Sequence, residues 1–367
     1  SSDRAGIHSL WKVDLEGGEP EWLAGGGNKI KHPAHARQAE VLAYEEWQYE
    51  INLWRFDLEA GATAEPEPLV RSTAWDLHPS FSPDGQHLAF TSTRSGSHEL
   101  WMARADGAEP SQLTQLNSGY VGQGAWSPDG ASIVFPANRD GQTDLYRLDL
   151  GDLAPVQLTN DVHQEIAPNW SRDGEAIYFS VDRGQGYQVR RLDGDRLRHA
   201  PQNGEPAGEV LAQGTAAVEG PLGKRVYFSR LDDEHLWSLP LVSEAGVVSF
   251  EGQASSTGID VGFGRRHSWQ ADVNGITFLD RSGRHSVLMH WPWPSPDDPG
   301  PVVPSPVLTG AVPGFGRPEL TVSPDGRFWV YFSRLDDEHL WSLPLVSEAG
   351  VVSFEGQASS TGIDVGF

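Results

Sequence analysis

The chain of 367 residues has no cysteine, so no disulfide holds it and the compartment is left open. It has no run of about 18 apolar residues, which leaves nothing able to span a bilayer as a helix. Basic residues are scarce, 27 against 51 acidic, for a formal charge of −24. A surface this acidic repels phosphate backbones and anionic membranes, so no nucleic-acid partner is expected for the chain itself. The opening residues SSDRAGIHSLW lack the basic start and apolar core of a signal peptide. They read as the middle of a strand hairpin, and the chain reads as a fragment of a longer protein. What is plentiful is Gly (41), Pro (26) and Trp (14). That mixture suits short strands joined by tight turns better than helices.

A repeat carries the turns. FSPDGQHLAF (81–90), WSPDGASIVF (126–135), WSRDGEAIYF (170–179) and VSPDGRFWVY (322–331) share one design. Pro presets φ at the second turn position, Asp hydrogen-bonds nearby amides, and Gly accepts the left-handed conformation that closes the turn. Weaker copies stand at 35–44, 220–229 and 271–280. Their centres fall at Ala39, Gly85, Gly130, Gly174, Gly223, Gly275 and Gly326, separated by 44 to 52 residues. A period of about 45 is that of a four-stranded propeller blade. Third strands follow as SLWKVDL (9–15), NLWRFDL (52–58), ELWMARA (99–105), DLYRLDL (144–150) and HLWSLPL (235–241). Proline-led outer strands, such as PSQLT (110–114) and PVQLT (155–159), come next. The aromatics Trp11, Trp54, Trp101, Tyr146 and Trp237 recur at one strand position, as inter-blade packing requires. Arg190 replaces them in its blade, which is expected to pack less well. WPWPSPDDPGPVVPSPV (291–307), with seven prolines in seventeen residues, reads as an extended loop.

The expected fold is therefore all-β, a seven-bladed propeller with four antiparallel strands per blade, closed by strands from both termini. Residues 7–23 would supply the outer half of the blade whose inner hairpin is 319–334, so that 1–334 form one domain. Residues 226–263 and 330–367 are identical over 38 positions. The tail 335–367, a copy of 231–263, offers a competing outer half. A closed ring leaves it no slot, so it is expected to pack outside the ring or to swap with a neighbour.

FSPDGQHLAFTSTRSGSHELWMARADGAEPSQLT resembles the repeat of TolB-type, WD40-like propellers, the PD40 repeats. The order of blades from GIHSLWKVDLEGGEPEWLAGGG to ELTVSPDGRF is similar to the C-terminal propeller region of bacterial winged-helix transcriptional regulators. The resemblance implies a bacterial sensor or interaction region, with periplasm and cytoplasm both open.

The loops entering the innermost strands read KIKHP (29–33), AWDLHP (74–79), GYVGQG (119–124), VHQEIAP (162–168), GRRHSWQ (264–270) and GRPEL (316–320). They bring His32, Asp76, His78, His163, Glu165, Arg265, His267, Arg317 and Glu319 towards one rim, the channel mouth. These are the candidate ligand-binding residues. No catalytic residue is named, because neither G-x-S-x-G nor HExxH is present. No cofactor is expected, though imidazoles and carboxylates at a common rim leave room for a metal. The expected function is non-catalytic recognition of a protein or peptide at the mouth. Two alternatives stand beside it: a channel-mouth lyase or hydrolase using the His and acidic rim, and an engineered or misassembled repeat chain without an evolved ligand.

Overall fold

In the computed structural model the chain is described from residue 67 to 293 with short interruptions, the longest at 198–207 and 262–268. Strands are traced beyond that range, and side chains are also described for 51–55. Five blades are built from consecutive strands. Blade 1 comprises Asp76–Phe81, His87–Ser92, Glu99–Arg104 and Ser111–Gln112. Blade 2 begins with Tyr120–Val121 and Ala125–Trp126 and continues through Ser132–Arg139, Gln142–Asp149 and Pro155–Gln157. Blade 3 is Gln164–Trp170, Ala176–Asp182, Tyr187–Asp193 and Glu209–Gln213. Blade 4 holds Thr215–Glu219, Arg225–Ser229, His235–Glu244, Val247–Phe250 and Ser255–Asp260. Blade 5 holds Trp269–Ala271, Gly275–Asp280, Val287–Pro292 and Ser305–Leu308. Every pairing is antiparallel within these sheets.

A sixth sheet is composite. Leu320–Val322 and Phe328–Arg334 pair onward with Ile51–Asp57 and then Glu67–Val70. Each sheet touches the next, and the composite sheet meets both blade 5 and blade 1, so the circuit is closed. This all-β, antiparallel arrangement is a β-propeller.

Two expectations are corrected. Among the described strands seven blades do not form: five are consecutive and one sheet is composite. The hairpin 319–334 takes strands 51–57 and 67–70 where residues 7–23 were expected, and among the described strands Leu10–Lys12 pairs with Glu21–Ala24 alone. Among the described strands the hairpin of Lys29–His35 and Leu42–Trp47 likewise pairs with itself alone. Glycine spacing counts hairpins; which outer strands each hairpin takes depends on pairing in three dimensions. The compact units are Ser1–Arg334 and Leu335–Phe367. Within the second, His339–Ser342 pairs with Ser359–Asp364 and Leu345–Glu348 with Val351–Phe354.

The turn chemistry is as the tetrad requires. Gly85, Gly130 and Gly174 have φ of 67°, 71° and 74°. Their amides donate to Ser82, Ser127 and Ser171 carbonyls at 2.9–3.0 Å. In each turn one Asp oxygen accepts the Ser hydroxyl at 2.6 Å and the amide two residues on at 3.0 Å. The serine hydroxyl bond holds the carboxyls of Asp84 and Asp129 below the usual range.

Packing runs between sheets. Tyr146 of blade 2 lies among Ala89 and Leu100 of blade 1, and Trp101 packs against Leu53 and Val70 of the composite sheet. Trp126 and Trp170 donate their indole N–H to the Ser80 and Ala125 carbonyls of the preceding blade, at 3.0 and 3.1 Å. Arg190 does not loosen its blade. It is 7% exposed and its Nη2 donates to the Gly208 carbonyl at 2.6 Å.

Candidate functional site

The innermost strands run from the mouth towards the hairpin turns, and three share a bulge. Pairing slips between Leu77 and Ser80, between Ile166 and Asn169, and between Thr215 and Val218. At each slip a non-glycine residue is left-handed: His78 at φ 54°, Ala167 at 49° and Ala216 at 56°. Such backbone is uncommon outside glycine, and bulges gather at barrel rims and binding sites. Pro79 and Pro168 follow two of them and have no amide to lose. The strand 29–35 slips likewise between Lys31 and Ala34, around His32-Pro33.

The bulged strands wall a narrow channel. A cavity of about 70 Å³ lies between Ser80, Gln123, Asn169, Val218 and Gln270. The amide groups of two of these stitch the wall: Gln123 Nε2 donates to the Pro79 carbonyl at 2.8 Å and Asn169 Nδ2 to the Ala217 carbonyl at 3.1 Å.

At the mouth, the expected residues divide. Asp76 is fully buried, its Oδ2 accepting Arg94 Nη2 at 2.9 Å and the Ser72 hydroxyl at 2.8 Å. His78 is 8% exposed, with Nδ1 at 3.1 Å from the Val121 carbonyl and 3.3 Å from Thr91 Oγ1. Burial, with the nearby His98 ring, lowers its pKa from 6.5 to about 3, so the ring is neutral. Glu165 is also fully buried, and burial with the neighbouring Asp161 pushes its pKa up to about 9. His163 stays part-exposed, its Nδ1 3.1 Å from Asp161 Oδ1. Beside it Val162 is 85% exposed. Asp161, His163 and Glu165 are brought together; Asp76 and His78 sit in the wall of blade 1 and do not join them. The strand Lys29–His35 carries His32, whose side chain lies outside the described residues, as do Arg265, His267, Arg317 and Glu319.

Sequence reasoning missed the partners of these groups. Arg94 and Arg183 lie just past the second strands in TSTR and SVDR, and pair with Asp76 and Asp161 at 2.9 and 2.7 Å. Glu99 and Asp144 hold matched positions early in the third strands, in HEL and TDL. Glu99, fully buried, accepts Thr114 Oγ1, the amides of Leu116 and Asn117, and Ser97 Oγ at 2.6–3.0 Å. Their recurrence at matched positions was the available signal. Buried carboxylates with this many donors tie the connector between blades to the preceding sheet.

At the opposite end a larger cavity, about 310 Å³, opens between the turns of blades 2 and 3, beside Asp129, Asp173, Glu175, Arg147 and Trp170. Among the described residues no group of three or more His, Cys, Asp or Glu is placed to hold a metal ion, and no helix is long and apolar enough to cross a membrane.

Sheets of this geometry define a propeller. Residues 64–205 match the family described as PD40, the TolB beta propeller domain. Among solved structures, the chain is similar to TolB from Acinetobacter baumannii at 18% identity, covering 77% of this chain and 63% of that one, with a TM-score of 0.43. The chain thus spans less than two thirds of that TolB. It is also similar to a putative TolB from Agrobacterium tumefaciens at 16% identity, covering 78% and 99%, with a TM-score of 0.36. A chain of a nidogen/laminin complex is 8% identical, covering 65% and 89%, with a TM-score of 0.47.

Proposed function

We propose that the chain is a non-catalytic recognition scaffold that takes a protein or peptide at the channel mouth. The observation that carries this reading is how the wall uses its titratable groups. Asp76 and His78 are buried and held by neighbouring strands, which removes them from a reacting surface. The channel behind them, at about 70 Å³, is well below the roughly 300–1,000 Å³ of a small-molecule pocket. What the described mouth presents is an exposed Val162 and a part-exposed His163 on one connector. Surfaces of that kind suit an extended partner better than an enclosed ligand. The family match over residues 64–205 supports a binding role, in keeping with its repeat architecture. Within this reading the chain is the sensor or interaction part of a bacterial winged-helix regulator, a placement that rests on the order of its repeats alone.

A thermal-shift screen of peptides, sugars and metals against Val162→Asp, His163→Ala and the opposite-end control Glu175→Ala tests it. Peptide stabilisation lost in the first two variants and kept in the third is the expected result. Stabilisation by peptides that all three variants retain would place the binding elsewhere and overturn the assignment to the mouth.

A further inference from the structure

Three departures from the repeat meet where blade 2 joins blade 3. The first is length. Asp144 stands where blade 1 has Glu99, one methylene shorter. Its Oδ2 accepts Gln157 Nε2 at 3.0 Å, and its Oδ1, buried, meets no donor. The second is a redirected hydroxyl. Thr114 and Thr159 both accept the amide opening their third strand, from Leu100 and Leu145 at 2.9 and 2.8 Å. Thr114 gives its proton to Glu99 at 2.6 Å, whereas Thr159 turns to Glu165 Oε2 at 3.2 Å. The third is a diverted arginine. Glu165 occupies the position of Asp76, but Arg183, the counterpart of Arg94, is taken by Asp161 at 2.7 Å. Glu165 Oε1 is left buried without a donor.

The Asp144 and Glu165 side chains are 3% and 0% exposed, and the Glu165 carboxyl lies within hydrogen-bonding reach of both Asp144 and Asp161. Asp144 faces it from the third strand of blade 2, with Gln157 of the fourth strand donating to Asp144, and Thr159 and Asp161 face it from the connector. His163 and Arg183 stand against Asp161, and Arg190 of blade 3 is the remaining cation near it. The arginines are committed elsewhere, to Asp161 and to the Gly208 carbonyl. Two carboxylates buried against each other, each with one oxygen lacking a donor, cannot both stay charged at low cost; a proton between them turns the two orphaned acceptors into a hydrogen bond. Burial pushes both groups upward, Asp144 to about 6 and Glu165 to about 9.

We propose that Glu165 is a neutral carboxylic acid in the folded protein, and that the proton it shares with Asp144 latches the connector 159–165 to blade 2. Losing that proton to solvent breaks only the O–H bond and leaves three carboxylates at one junction. The latch then opens on the side of the mouth that carries Val162 and His163. The device does not depend on what the mouth binds.

Infrared titration and hydrogen exchange of the whole chain test it together. A protonated-carboxyl C=O band present near neutral pH and missing from Glu165→Gln is expected. Protection of the connector amides should fall at least tenfold as pH rises through the range where Glu165 ionises, since each unit beyond a group's pKa costs a factor of ten. Glu165→Gln, which keeps a donor without a titrating proton, should show no such fall. A band absent from the wild type near neutral pH overturns the proposal, as does an equal loss of protection in both proteins. Stabilisation by calcium that Glu165→Gln abolishes would replace the proton with a cation and also overturn it. The wild-type band decides the matter by itself if the variant does not fold.

Discussion

Replacing Glu99 by Gln is the most searching test of how the blades are joined. The side chain is fully buried and accepts four hydrogen bonds, two on each oxygen. The amide keeps the shape but turns one acceptor into a donor. Whichever way it is placed, a backbone amide then faces an N–H₂ group and a hydroxyl must turn from donor to acceptor, so two charge-assisted bonds are lost. With Oε1 replaced, these come from the Asn117 amide and Ser97 Oγ; with Oε2 replaced, from the Leu116 amide and Thr114 Oγ1. Hydrogen bonds to a charged group contribute about 1.5–3 kcal/mol each, and the better-placed alternative still loses two, so a loss of about 3 kcal/mol is expected. In urea this is a shift of the unfolding midpoint by about 1 M or more for a slope of roughly 3 kcal/mol/M. The same change at exposed Glu175 is expected to be near neutral. A loss below about 1 kcal/mol for Glu99→Gln would mean that the connector is not held through this carboxyl, and the account of the mouth would fail.

Two further outcomes follow from the wall and the turns. His78 has a folded pKa depressed from 6.5 to about 3, so the unfolded chain takes up the proton first as pH falls. Its contribution is intact above the unfolded value and is lost as pH falls towards the folded one, by up to about 5 kcal/mol at 1.36 kcal/mol per unit. His78→Asn, which tolerates the left-handed backbone at φ 54°, should flatten that part of an acid-unfolding curve; an unchanged curve refutes the buried neutral ring. Gly107 has φ +81°, and a Cβ there would lie 2.0 Å from the Leu69 carbonyl oxygen, whereas one at Gly96, φ +94°, would meet nothing within 4 Å. Gly107→Ala should therefore cost distinctly more than the roughly 1–3 kcal/mol of backbone strain expected at Gly96→Ala, read as the difference in melting temperature.

Much of the hairpin framework is legible in the amino-acid order alone. Ser-Pro-Asp-Gly specifies its own turn through contacts within six residues, and Gly85, Gly130 and Gly174 have the left-handed φ that the tetrad calls for. The recurring third-strand aromatics point correctly at packing between sheets, as Trp101 and Tyr146 show. The candidate site is legible only in outline. Loop position brings Asp76, His78 and Glu165 to the mouth, but nothing local says whether a side chain there faces water or a neighbouring strand. The bulges decide it, and they arise from pairing between strands, Leu77 with Thr91 and Ser80 with Ala89, Ile166 with Ser180 and Asn169 with Tyr178.

The repeated segment shows the division most plainly. The stretches 235–260 and 339–364 have one sequence and adopt one local register, His235 opposite Asp260 and His339 opposite Asp364. The strands just before them share the sequence VYFS, yet Phe228 lies opposite Trp237 while Phe332 lies opposite Leu53. Sequence alone determined the turns, the alternation and the short-range pairings, because their atoms are close along the chain. Tertiary structure alone decided which edge each hairpin joined, how many blades closed the circuit, and which acids at the mouth were buried. Those outcomes depend on unpaired edge amides and carbonyls finding partners among strands that local sequence cannot tell apart.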